Sequence, residues 1–262
     1  MIRKAALLLS IATLVTLTAV AQNVTHDSYK KARVVLDKAV AAYGGAQSLR
    51  SIENVTFKLT GDSVHRNQSK KAFASDRTPF KAEYIIDIRN MRYRQQQDGH
   101  YPGGFDWVNG FAINRNEGAT WDNIRGTFNP IPSVPPANFR SRLRMVPQLI
   151  VLNALNRASR LRYLGPATFE GSAHTVISYA NEDGVEYSLY IDDKTGLLSK
   201  HEVLTTDPFE GDAVAEMIFT GYKTENGHSV PTGRLDKLNG QLQNDYKFAD
   251  VRFNAPLSDA DF

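Results

Sequence analysis

The chain has 262 residues, no cysteine and a formal net charge of +3, with 42% hydrophobic and 23% charged residues. That length gives one large β-rich domain or two small ones, with ample chain for a real core. The absence of cysteine excludes disulfides, so stability has to come from packing.

Residues 1–21 read as a secretory signal peptide. Arg3 and Lys4 form a basic start, "AALLLSIATLVTLTAV" is an uncharged apolar run, and Ala19-Val20-Ala21 supplies the small-x-small pattern before Gln22. The run is too short for a transmembrane helix, and an uncleaved anchor is the alternative. With no cysteine to accept a lipid, the chain is not itself a lipoprotein. Removing 21 of 262 residues leaves 241, and losing Arg3 and Lys4 takes the charge from +3 to +1. A nearly neutral exported protein, periplasmic or secreted, is a poor candidate for nucleic acid. Residues 22–262 are expected to form a single domain, with no stable membrane span after cleavage.

"HDSYKKARVVLDKAVAAYGG" has the pattern of an amphipathic helix, with Tyr29, Ala32, Leu36, Ala39, Val40 and Tyr43 on one face. Gly44 and Gly45 end it. A phosphate cradle is the other reading of such a pair, but it lacks a preceding strand and a following Lys. After a short turn through "AQSLRSI", Val55, Phe57 and Leu59 alternate with Thr56, Lys58 and Thr60, and "AEYIIDIRNMRYRQQQ" reads as one long second strand. "FDWVNGFAINRNEGATWD" reads as a hairpin with turns at Asn109-Gly110 and Glu117-Gly118. The proline-rich stretch "NIRGTFNPIPSVPPANFRSR" is a lid or a wrapped loop.

Pro147 then starts a helix to about Arg160. Its centre, "LIVLNAL", is apolar over more than half its circumference, and Arg157 and Arg160 suit the negative C-terminal end. Such a helix needs cover on more than one side. The remainder is a meander with turns at Asp183-Gly184, Lys194-Thr195-Gly196, Glu210-Gly211, Asn226-Gly227 and Asn239-Gly240. The expected fold is α+β: a strongly curved antiparallel sheet, an open half-barrel of about 10–11 strands, with helices packed into its concave face.

Chemistry is hard to find. His26, His65, His100, His174, His201 and His228 form no H-x-H, H-E-x-x-H or His/Cys cluster, so no local zinc motif exists. No G-x-S-x-G is present. Asp192 and Asp193 suggest a carboxylate pair, but "DDKTGLL" places them as turn caps, and Glu182 and Asp183 follow the same logic. "RNMRYRQ" and "FRSRLR" interleave Arg with apolar residues, a pattern that also suits single-stranded nucleic acid. In the first, Arg89, Met91 and Tyr93 are expected on one strand face, with Asn90, Arg92 and Arg94 solvated on the other. No catalytic residue, metal ligand or cofactor is assigned. What stands out is apolar supply: Phe57, Tyr84, Ile86, Trp107, Phe111, Trp121, Phe139, Leu149, Leu152 and Tyr187 either fill a core or line a cavity between helix and sheet.

"AVAAYGGAQSLRSIENVTFKLTG" resembles the opening of exported domains with the lipoprotein-carrier (LolA/LolB-like) fold. "DPFEGDAVAEMIFTGYKTENGHSVPTGRLDKLNG" is similar to the region preceding the catalytic domain in exported metallo-β-lactamase-fold hydrolases. Gly211-Asp212, Tyr222, Gly227, Val230-Pro231, Asn239-Gly240, Asn254, Pro256 and Phe262 fit its series. There the H-x-H-x-D-H metal motif lies in a downstream domain, so none of its ligands carries over. The resemblance implies a non-catalytic exported domain that binds an apolar small molecule or acyl chain, or supports a fused or separate hydrolase domain. The rival is the N-terminal half of a periplasmic metallo-hydrolase whose zinc domain lies beyond Phe262. A small hydrolase with dispersed catalytic residues is a third. The leader reading predicts that N-terminal sequencing of protein from its native host starts at Gln22; an intact Met1 on membrane-bound material refutes it.

Overall fold

The computed structural model describes residues 23–66, 69, 71, 74–208 and 210–262. The expected signal peptide, 1–21, lies outside them. All the strands of the described residues join one antiparallel sheet, in the order β6-β5-β4-β3-β2-β1-β13-β12-β11-β10-β9-β8-β7. The strands are β1 (Asn54–His65), β2 (Asp76–Asp87), β3 (Arg92–His100), β4 (Asp106–Asn114), β5 (Glu117–Asp122), β6 (Thr127–Ile131) and β7 (Arg162–Phe169). They continue with β8 (Ser172–Ala180), β9 (Glu186–Asp192), β10 (Leu198–Asp207), β11 (Gly211–Glu225), β12 (His228–Leu238) and β13 (Gln241–Phe253). Two up-and-down meanders therefore meet where β1 pairs with β13, Val55 opposite Phe253. The sheet stays open, with β6 and β7 at its edges.

The helices are α1 (Val24–Ala42), α2 (Gly45–Arg50), α3 (Pro136–Arg140) and α4 (Pro147–Asn156). Helix α1 buries Ala32, Leu36, Ala39 and Val40, the stripe that the sequence spacing marks. Gly44 takes φ 90, so the chain can reverse into α2, which replaces the expected turn over 46–52. Tyr43 docks the end of α1 on the sheet: its hydroxyl lies 3.0 Å from that of Tyr222 and accepts the Leu198 N–H at 3.2 Å. Helix α4 starts on Pro147 and buries Leu149, Ile150, Val151, Ala154 and Leu155. A 3-10 turn, Ala158–Arg160, completes the predicted span. These residues share one core with Val55, Phe57, Leu59, Ile86, Tyr179 and Leu189 of the sheet.

The sheet has 13 strands, more than the 10–11 expected, for two reasons. The expected long strand over 82–97 breaks at Ile88–Met91, because the Asp87 carboxylate accepts the Asn90 N–H at 3.0 Å and Met91 adopts φ 55. Arg89 and Met91 therefore belong to a turn, and strand alternation begins only at Arg92. The proline-rich stretch also supplies β6, an edge strand where Pro130 breaks no interior ladder. Asn109-Gly110 is not a turn but the middle of β4; the reversal falls at Arg115-Asn116, with Arg115 at φ 60. Gly110 is needed because a Cβ there would sit 1.9 Å from the Trp121 ring.

The Asp192 turn forms as expected: its Oδ1 accepts the N–H of Lys194 and Thr195 at 2.9 and 2.6 Å, and Gly196 takes φ 74. Asn54 and Asn254 clamp the seam's end. Asn54 exchanges two hydrogen bonds with the Ala255 backbone, and Asn254 bridges the Glu53 N–H and the Ser51 carbonyl. At mid-seam a Cβ on Gly61 would lie 1.9 Å from the Asp245 carbonyl oxygen. Gly61→Ala is expected to lower stability by about 1–3 kcal/mol in urea unfolding, the usual cost of overpacking; an unchanged midpoint refutes that close approach.

Candidate functional site

Residues directly opposite each other in an antiparallel pair share a face of the sheet. One such row runs Phe219–Arg234–Tyr246–Gly61–Phe80–Gly99–Trp107 across β11, β12, β13, β1, β2, β3 and β4. Its rings are in sequence: the Arg234 guanidinium lies 5.2 Å from the Tyr246 centroid, Tyr246 5.1 Å from Phe80, and Phe80 6.0 Å from Trp107. Gly99 lets the indole lie close over β3, since a Cβ there would meet the ring at 2.3 Å. Behind this end of the row, on the opposite face of the sheet, Pro79, Lys81, Asp98, His100, Asp106 and Val108 line an open depression of about 640 Å³. That is the size of a small-molecule site, but Lys81, Asp98, His100 and Asp106 give it charged and polar walls rather than acyl-like ones.

A second row, Phe57–Tyr84–Gln95–Phe111, runs beside the first. Phe57 and Tyr84 stack at 4.8 Å, and Tyr93 stands 6.5 Å from Tyr84 and 6.1 Å from Phe111. Over these rings lies the segment from α3 through a 3-10 turn (Ser141–Met145) to α4. Its Arg142 guanidinium sits 5.3 Å from Tyr93 and 5.5 Å from Phe111. Arg144, mostly buried, is held below its ordinary pKa by desolvation. Its carbonyl accepts the His201 Nε2–H at 3.2 Å, which leaves Nδ1 as a buried acceptor without a partner among the described residues. Burial first, then the Arg144 charge, pushes His201 down to about 3, so it is neutral at pH 7. Arg234 is 3% exposed. Burial works against its charge, but Asp236 (2.9 Å from Nη2), Tyr84 and Tyr246 outweigh it and raise the pKa.

The covering segment is tied to the β8–β9 turn. Arg140 Nε donates to Asp183 at 2.8 Å, Arg157 pairs with Glu182, and Arg160 Nη1 donates to the Asn181 carbonyl at 2.8 Å. Glu182 and Asp183 thus occupy the expected turn and also anchor the segment. Arg157 and Arg160 reach that turn with their side chains, which differs from the expected role at the end of α4. Partly exposed pairs of this kind contribute about 0–1 kcal/mol each. Between Arg144, Asn153, Asn181 and Tyr187 a crevice of about 10 Å³ remains, room for no more than a water.

The structure separates the predicted lining residues into groups. Phe57, Tyr84, Ile86, Phe139, Leu149 and Tyr187 are buried in the core. Trp107, Phe111 and Leu152 are half-buried against it. Trp121 stands apart: it pairs with Gly110, one residue out of step with Phe111, and so lies on the opposite face, beneath Arg94. Sequence reasoning missed Phe80, Tyr246 and Arg234, whose signal is only visible once the register of six strand pairs is known. His174 is satisfied, with Nδ1 on the Ser172 carbonyl at 3.0 Å and Nε2 on Ser199 Oγ at 2.8 Å. Among the described residues no group of three or more metal-capable side chains gathers, and no helix is long and apolar enough to cross a membrane.

No protein-family model matches the sequence. No curated protein is significantly similar to it. Solved structures are. A putative outer membrane lipoprotein-sorting protein domain from Vibrio parahaemolyticus superposes with TM-score 0.50 at 11% identity, covering 89% of this chain and 96% of that one. A DUF1329 family protein from Desulfovibrio piger superposes with TM-score 0.50 at 12% identity, covering 87% and 95%. A LolA superfamily protein from Nitrosomonas europaea gives 0.49 at 10% identity, covering 87% and 96%. The fold is thus lipoprotein-carrier-like, as the sequence resemblance implies. The likeness to metallo-β-lactamase-fold hydrolases has no counterpart among these three.

His201 makes stability depend on pH. Its pKa is near 6.5 when unfolded and about 3 when folded, so its contribution is fully present above pH 6.5 and is withdrawn as pH falls from there toward 3. The slope is at most about 1.4 kcal/mol per pH unit. His201→Gln is expected to flatten the denaturation midpoint between pH 6.5 and 4.5 relative to the parent; parallel curves would show that His201 is not the buried neutral base.

Proposed function

We propose that the chain is a non-catalytic carrier or receptor domain for an apolar, lipid-like ligand, acting in the periplasm or outside the cell, with residues 22–262 as one unit. The observation that carries this reading is the aromatic row of the inner face, from Tyr246 through Phe80 to the half-buried Trp107, under helices that cover a curved open sheet. Buried apolar surface stabilises a ligand by roughly 25 cal/mol per Å² before association costs, enough for a medium acyl chain to bind measurably. The Vibrio protein of the same fold is named for lipoprotein sorting, which is consistent with an acyl ligand. The rest of the inner face is covered by α3 and α4, whose attachment to the β8–β9 turn is ionic and partly exposed. Support of a hydrolase partner is the other half of the sequence expectation, and the geometry favours the apolar ligand over it.

The two tryptophans make the test direct, because they lie on opposite faces. A fluorescent fatty acid is expected to bind and to change the emission of Trp107. The whole effect should persist in Trp121→Phe and vanish in Trp107→Phe. Absence of uptake, or a response that follows Trp121, refutes a ligand on the inner face.

A further inference from the structure

The connections of an up-and-down sheet alternate between its two ends, and here the two ends differ. Connections β1–β2, β3–β4, β5–β6, β8–β9, β10–β11 and β12–β13 share one end. Contacts between them bear this out: the His65 ring lies 5.8 Å from Tyr101, Arg66 Nη1 donates to Gln241 at 2.6 Å, and Asn239 Nδ2 donates to Glu210 at 2.7 Å. This end exposes large apolar side chains. Tyr101 is 37% exposed, Phe105 49%, Ile124 52%, and Phe128, at the start of β6, 69%. At the other end, connections β2–β3, β4–β5, β7–β8, β9–β10 and β11–β12 expose none among the described residues. That end instead carries a cleft of about 550 Å³ lined only by polar residues, Asn90, Arg115 and Glu117 among them. The apolar turns are firmly built. Tyr101 N–H donates to the Phe105 carbonyl at 3.0 Å, their rings lie 4.8 Å apart, and Tyr101 stands 5.9 Å from Trp107. Asp122 Oδ1 accepts the N–H groups of Ile124 and Arg125 at 2.8 and 3.3 Å, and Asn123 bonds to the Val108 backbone in both directions. Charge at this end is met locally, with Arg66 paired to Glu210 at 2.6 Å and Asp106 lying 2.8 Å from His100 Nδ1.

We propose that this end docks on the surface of a lipid bilayer, with Tyr101, Phe105, Ile124 and Phe128 entering its interfacial layer. Exposed apolar side chains gathered in one region mark an interaction surface. These stand on separate connections rather than on one smooth face. A protein partner would need a matching recess for each of them, whereas a fluid bilayer accommodates them one by one. Tyr101 is also the type of residue that favours this layer, an apolar ring with a polar tip. Because the charges at this end are met locally, attachment comes from apolar burial rather than from attraction to anionic headgroups. Docking rests on the exposed turns alone and not on the ligand reading. It would nevertheless serve that reading, because Trp107, the last residue of the aromatic row, lies beside Tyr101 at the docked end.

The test is flotation of the exported protein with phosphatidylcholine vesicles, with and without added phosphatidylglycerol, at low and high salt. The parent is expected to float with both, and salt, which screens surface charge, should change little. Phe105→Ser and Ile124→Ser should each lower the partition coefficient about threefold, and together about tenfold. Both side chains are exposed, so the fold should survive, and an unchanged urea midpoint checks this. Val34→Ser on α1, where the side chain is 70% exposed but far from the turns in sequence, is the control and should float as the parent does. Failure of the parent to float overturns the proposal. So does flotation that the folded double variant retains, or that Val34→Ser loses equally. Binding confined to phosphatidylglycerol vesicles and abolished by salt overturns it in favour of electrostatic attachment. A parent that dimerises instead of floating, with a double variant that stays monomeric, overturns it in favour of a second copy. These vesicle experiments contain no free fatty acid, so their failure leaves the ligand reading to its own titration.

Discussion

A curved sheet with an apolar inner face has to be covered, and here the cover is shorter than the sheet. Helix α1 has 19 residues, about 28 Å of helix, against thirteen strands spaced about 4.8 Å apart. Tyr43 and Ser28 fix α1 toward β7, β10 and β11, and α4 packs beside it. The mismatch leaves the inner ends of β2, β3 and β4 without a helix above them. Trp107, at that end of the row, is accordingly only half-buried.

The inner face is also unusual in what it buries. Tyrosines supply much of its area, and burial raises the pKa of Tyr84, Tyr93 and Tyr246, keeping them neutral and available as partners. Arg142 and Arg234 lie beside these rings rather than in a saturated ion-pair network. Burying a guanidinium this way is costly unless its donors are met. The structure tolerates it where the covering segment and the sheet come together.

Much of the frame was legible in the sequence. The stripe from Tyr29 to Tyr43, the apolar helix from Pro147 and the Asp192 turn follow from local periodicity and turn chemistry. Local rules failed where a distant strand decided the outcome. Asn109-Gly110 looks like a hairpin turn, but the glycine exists to accommodate Trp121 from the next strand. Trp121 itself looked like a lining residue and lies on the other face, because parity is set by register rather than by composition. Asp87, which caps the break between β2 and β3, sits in "DIRNMR" as a visible signal, masked by the apolar run before it. Arg234 carried no signal at all: nothing near it in sequence shows that Phe219 and Tyr246 become its neighbours.

The seam between β1 and β13 has a consequence for how the molecule is made. Each meander can grow by hairpins between consecutive strands, but the seam joins Val55 to Phe253 and so closes a loop of most of the chain. Loop-closure entropy rises with the logarithm of length, roughly 5 kcal/mol at 25 °C for a loop of this size, and such contacts slow folding. During synthesis β1 has β2 on one side and a bare edge on the other until Gln241–Phe253 leaves the ribosome. Unpaired edges recruit other strands, so this is the interval in which the chain is most exposed to misassembly. The row from Phe219 to Trp107 crosses that seam, and no half of the molecule can present it alone.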